Sequence, residues 1–95
     1  MYRRGENSLE IDVGTTKTRQ DLHDLLFEAL RFPDYYGSNW DAFDECIRDV
    51  PVPSVIQITH FEELRLRLPR EAELMSRCLQ EFAQGHEPTI TVQIS

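Results

Sequence analysis

Carboxylates are gathered into one stretch of this 95-residue chain. Residues 33 to 50 hold Asp34, Asp41, Asp44, Glu45 and Asp49 against a single base, Arg48, so more than half of the formal net charge of −7 falls in under a fifth of the length. Asp41, Asp44, Glu45 and Arg48 stand at i, i+3, i+4 and i+7, the spacing that puts them on one side of a helix. Asp41 and Glu45 are a like-charged i,i+4 pair, which costs a helix roughly a few tenths of a kcal/mol. Two chemistries suit such a group. With His60 it could serve as an acid/base centre, or it could meet a partner's cations. The bland alternative is that Asp41 favours the helix dipole and the rest are merely solvated. Elsewhere, as in Glu62-Glu63-Leu64-Arg65-Leu66-Arg67, the signs alternate in the manner of an ordinary surface.

Two tyrosines precede the acidic helix. In Pro33-Asp34-Tyr35-Tyr36-Gly37-Ser38, proline fixes one φ and Gly37 is free to take the positive φ that a sharp reversal requires. Tyrosine brings a large contact area and a polar tip at low entropic cost, so a rigid aromatic beside carboxylates suits an interface that meets arginines. The expectation is Tyr35 outside and Tyr36 in the core.

An enzyme is disfavoured. The sequence has no nucleophile elbow, phosphate-binding glycine loop or metal motif, and 95 residues leave little room for a substrate pocket. His23, His60 and His86 are scattered, and Cys46 and Cys78 fall in apolar helical spacing as buried free thiols, so neither metal nor cofactor is expected. Seventeen acids against ten bases argue against direct nucleic-acid binding and for a basic protein partner. No run approaches the roughly 18 apolar residues of a membrane span, and Met1-Tyr2-Arg3-Arg4 is not followed by an apolar stretch, so a cytoplasmic protein without membrane contact is expected. The length suits one domain spanning residues 1–95, monomeric when free.

The acidic segment must be positioned by the elements around it. Residues 8 to 13 alternate apolar and acidic as a half-buried strand. Thr18 with Asp21 resembles a capping box, and Leu22, Leu25, Leu26, Ala29 and Leu30 follow at helical spacing as far as Pro33. In the acidic helix Trp40, Phe43 and Ile47 form the inner stripe with Cys46 beside them, until Pro51 and Pro53 close it. Val55 to Thr59 is β-branched and nearly continuously apolar, as in a strand covered on both faces. A short helix over 61–66 follows, then a helix from 70 to 84 carrying Leu74, Met75, Cys78, Leu79 and Phe82, with Gly85 as a left-handed C-cap. Residues 89–94 alternate as a last strand. The predicted class is α/β, a small sheet of three parallel strands with three to four helices packed against it.

Residues Pro33-Asp34-Tyr35-Tyr36-Gly37-Ser38-Asn39-Trp40-Asp41-Ala42-Phe43-Asp44-Glu45-Cys46-Ile47 closely resemble the signature of the barstar family, a loop P-[DE]-Y-Y-G-x-N followed by a helix [LW]-D-A-[LF]-x-[DE]-C-[LI]. Asp21-Leu22-His23, the length of the first helix and the final strand extend the match. The resemblance implies a non-enzymatic intracellular inhibitor that lays this loop and helix across the active site of a basic, extracellular-type bacterial ribonuclease. By position it carries partner contacts to Tyr35, Gly37, Asp41 and Glu45, with Asp44 sharing the face. A further family carboxylate on the last helix falls at Gln80 or, by the apolar register, at Glu81. Cys46 matches a family cysteine and Cys78 does not. The family's namesake has Asp where Glu45 stands and an aromatic where Asp44 stands. An immunity protein or adaptor for a different basic toxin is the other reading.

Overall fold

The N-terminal edge of the molecule is a hairpin. Tyr2–Arg4 (β1) pairs antiparallel with Ser8–Asp12 (β2), and the intervening turn is closed by the Gly5 N–H donating to the Ser8 carbonyl at 2.8 Å. The chain then runs through Arg19–Leu30 (α1), Trp40–Asp49 (α2), Val55–Thr59 (β3), Phe61–Arg67 (α3), Pro69–Gly85 (α4) and Thr91–Ile94 (β4). This computed structural model describes all 95 residues.

The sheet order is β1-β2-β3-β4, with β2, β3 and β4 parallel. The three parallel strands are as expected, but the sheet has a fourth. Three residues, two of them arginines, are too short a run to show a two-residue period, so β1 is invisible to pattern reading. Its arginines suit an outer edge, where charge discourages pairing with another chain.

A second expectation fails on β3. Leu9, Ile11, Ile56 and Ile58 are wholly buried, while Glu10, Asp12, Gln57 and Thr59 on the opposite face are only half-buried. The sheet is therefore covered on one face, not two. Strand order explains why: β2, β3 and β4 advance in one direction, so right-handed crossovers put α1–α2 and α3–α4 on the same side. The uncovered face carries polar partners instead, such as Gln57 Nε2 donating to Gln93 Oε1 at 3.0 Å.

The helices begin and end where local chemistry dictates. The Thr18 hydroxyl accepts from the Asp21 N–H at 3.0 Å, and Asp21 Oδ2 accepts in return from the Lys17 N–H at 3.2 Å. The helix stops at Leu30 because Arg31 turns left-handed, at φ 57°, and Phe32 N–H bonds back to the Phe27 carbonyl. Pro69 opens α4 at a position where its missing N–H has no helical partner anyway. Gly85 is not a left-handed cap: it is the last helical residue, and His86 continues in extended conformation. The core joins Leu22, Leu26, Ala29 and Leu30 of α1, Phe43, Cys46 and Ile47 of α2, and Ala72, Met75, Leu79 and Phe82 of α4 to the sheet.

Trp40, at the first position of α2, is only partly buried, whereas Phe43 has no exposure. Truncating Phe43 to Ala should therefore cost about 3–5 kcal/mol of folding free energy, and Trp40→Ala measurably less. Asp44→Ala removes a surface pair and should cost about 0–1 kcal/mol. Urea titration of the three variants checks the order.

Candidate functional site

The loop from Pro33 to Asn39 is held at every turn. The Tyr36 N–H donates to the Pro33 carbonyl at 3.0 Å, and Arg19 reaches from α1 to donate to the Ser38 carbonyl at 2.8 Å. Asn39 caps α2 by accepting the Ala42 N–H at 2.8 Å, while its amide donates to the Gly37 carbonyl at 3.3 Å. The left-handed residue is Ser38, at φ 55°, and not Gly37. Gly37 matters for space instead, since a Cβ there would lie 3.2 Å from the Asn39 amide nitrogen and press on the cap.

Tyr36 is the inward residue, 9% exposed against 75% for Tyr35. Its ring stacks near Phe27 and tilts against Phe32, and its hydroxyl shares a hydrogen bond with Nδ1 of the buried His23. Burial holds the Tyr36 phenol above its ordinary pKa, so it remains protonated and able to donate. The His23 ring also lies 4.6 Å from that of Trp40. His23 Nε2 and Trp40 Nε1 are both enclosed without a hydrogen-bond partner. Sequence reasoning treated His23 only as part of the family match. Its spacing from Leu26 and Leu30, at i+3 and i+7, marks it as a titratable group in an apolar register. Arg19 was also missed: besides Ser38 it lies 3.0 Å from Oε1 of the largely buried Glu71 in α4, out of line for a hydrogen bond, and so ties the loop to the last helix.

On α2, Asp41 and Glu45 are exposed and enter no ion pair, whereas Asp44 is half-buried and bonded to Arg48 at 3.1 Å. Cys78 on α4 is pushed above its ordinary pKa by burial and then by Asp44, Glu81 and Asp41, against Arg77. Cys46 is raised by burial and then by Asp49 and Glu45. Asp41 and Asp44 of α2 and Glu81 of α4 are thus within electrostatic reach of one thiol, Cys78, where α2 packs on α4. Gln80 and Glu81 are both exposed on the wall of a groove of about 600 Å³ between α3 and α4. His60, the third member of the acid/base alternative, bonds Asp12 at 3.0 Å at the end of the sheet. That leaves the carboxylates of α2 without a histidine of their own.

His23 generates a pH prediction. Burial, then Arg19, lower its pKa below the ordinary value, only partly opposed by Glu71 and Asp24. A depressed histidine stabilises the fold in its neutral form. That contribution is complete above the unfolded value of about 6.5 and is lost as the pH falls below it towards the folded value. Protonation would also remove the lone pair able to accept from Tyr36. The urea midpoint should therefore drop between pH 7.5 and 5, and the drop should be smaller in His23→Gln.

The family described as "Barstar (barnase inhibitor)" matches residues 6–94. "Putative ribonuclease inhibitor YrdF" of Bacillus subtilis (strain 168) is 38% identical over 61 residues, covering 63% of this chain and 67% of the relative. Members of the matched family are inhibitors rather than enzymes. No helix here is long and apolar enough to cross a membrane. With a match across nearly its whole length and the signature loop and helix folded as one unit, the chain belongs to the barstar family.

Proposed function

We propose that this chain inhibits a basic, extracellular-type bacterial ribonuclease from the cytoplasm of the cell that makes it, by filling the enzyme's active site with the Tyr35 loop and the acidic face of α2. Ribonuclease inhibition in general follows from the family and the relative. One observation carries the finer reading: two exposed, unpaired carboxylates one helical turn apart, on a helix whose preceding loop is anchored by the buried Tyr36 and displays Tyr35 to solvent. A ribonuclease gathers cations around the scissile phosphate, so Asp41 and Glu45 can stand in for phosphate oxygens and form charge-assisted bonds with no ester to cleave. Asp44 and, from α4, Glu81 extend the negative field, and Gly37 lets the loop approach closely. Free of its partner the chain acts as a monomer, one domain over residues 1–95, and it uses neither metal nor cofactor.

Steering by this charge should make association fall steeply with ionic strength while dissociation changes little, as stopped-flow mixing with a basic ribonuclease would show. A salt-independent association rate would remove the acidic face from the docking surface. Asp41→Ala or Glu45→Ala should leave folding intact or slightly improved. Each should weaken binding by about 2–5 kcal/mol, the general range for truncating one partner of a buried charge pair and one drawn partly from the barnase–barstar complex itself. Calorimetric titration of the variants reads the loss, and full retention of affinity would overturn the phosphate-mimic mechanism.

A further inference from the structure

The chain carries seventeen acids against ten bases, yet two arginines that line one cleft, Arg4 and Arg31, have no carboxylate paired with them. The five ion pairs of the structure engage Arg19, Arg48, His60, Arg65 and Arg77, and neither Arg4 nor Arg31. Arg4, on β1, donates through Nη2 to the Ala29 carbonyl at 3.1 Å. Arg31 is the left-handed residue that ends the same helix. One cation at a helix C-terminus is favourable, because it meets carbonyls without helical partners. The second is unfavourable to the first. The Arg4 guanidinium is held below its ordinary pKa by burial and then by the charge of Arg31, which places the two groups within electrostatic reach of each other. Arg4 Nε is enclosed with no acceptor and is shielded from the cleft, while Nη1 enters no hydrogen bond, so the outer nitrogen is the one left to donate.

Both arginines line a cleft of about 340 Å³ whose other walls include Asn7 and the Pro51–Ser54 segment, and Glu6 is its one acid. We propose that this cleft binds an oxyanion of the phosphate class, held by the guanidinium groups of Arg4 and Arg31 with Asn7 and Ser54 as polar neighbours. Guanidinium forks match tetrahedral oxyanions through paired N–H donors, and an anion between the two would replace their mutual repulsion by attraction to both. The site lies beyond the C-terminal end of α2, roughly 13 Å along the helix from Asp41 at about 1.5 Å per residue. It is independent of the proposed ribonuclease contact. The cleft has room for more than a lone phosphate, so the ligand is either the free ion or the phosphate of a nucleotide.

Calorimetric titration of the whole chain with inorganic phosphate and with adenosine 5′-monophosphate, ionic strength being fixed with sodium chloride, tests the site. Saturable binding is expected, and it should weaken at least tenfold in Arg31→Asn, a replacement that tolerates the left-handed backbone at this position. Arg4→Lys keeps the charge but loses the planar fork and should fall between the two. Tighter binding of the nucleotide would identify a nucleotide phosphate as the ligand, and equal affinity the free ion. Heats that do not saturate, or affinities unchanged in both variants, would overturn the proposal.

Discussion

Burial of Tyr36 is the constraint from which the proposed interface follows. Its ring enters the core against Phe27 and Phe32, and its hydroxyl meets a histidine that has no exposure. Neighbouring residues of a tight loop cannot both point inward, so fixing Tyr36 commits Tyr35 to solvent. The same anchor sets the direction in which the chain reaches Asn39, and Asn39 sets where α2 begins. Arg19 and Ser38 fix the approach from the outer side. A loop tied to its surroundings in this way loses little conformational freedom on binding, which is how preorganisation raises affinity without adding contacts.

The His23 cluster carries a cost beside that benefit. Two enclosed nitrogens without partners, on His23 and Trp40, leave part of the network unsatisfied, and each such group weighs against folding. The fold tolerates this because the same rings pack against one another and against Phe43. The loop is therefore anchored on a histidine whose neutral form is favoured by burial, through its hydrogen bond with Tyr36.

The parts legible in the sequence are those governed by local periodicity and caps. Thr18, the apolar run from Leu22 to Leu30 and the stripe of Phe43, Cys46 and Ile47 led directly to α1 and α2, and the family motif led to the acidic face. What was not legible depends on contacts between distant residues. Arg3 and Arg4 form a strand only because Glu10 and Leu9 lie opposite them. The open face of the sheet is a consequence of strand order, which no single strand encodes; Val55 and Thr59 look the same in a sheet covered on one side or two. The positive φ falls on Ser38 in place of Gly37, between the Arg19 bond to the Ser38 carbonyl and the Asn39 cap, one of them reaching in from α1. Glu81 and its neighbour Gln80 are both exposed on the same groove wall, and periodicity alone does not separate two adjacent exposed positions of one helix.

The arrangement of charge on α2 also bears on specificity. Arg48 is the one base among five acids and would repel a cationic partner, but it is held against Asp44 Oδ1, and Asp41 and Glu45 are the unpaired members of that side. Their mutual repulsion is tolerated because the inner stripe of α2 and the Asn39 cap stabilise the helix independently of its surface. A partner that brings cations between them relieves the repulsion as well as forming new bonds, so complementarity is rewarded twice. The replacement of the namesake's Asp by Glu45 adds one methylene of reach, and the loss of the aromatic at Asp44 removes apolar contact beside it. On the proposed mechanism, a ribonuclease suited to this surface would have a roomier phosphate site and a neighbouring wall that is polar rather than apolar. Specificity among related enzymes would then rest on the dimensions of that pocket, the charge being common to all of them.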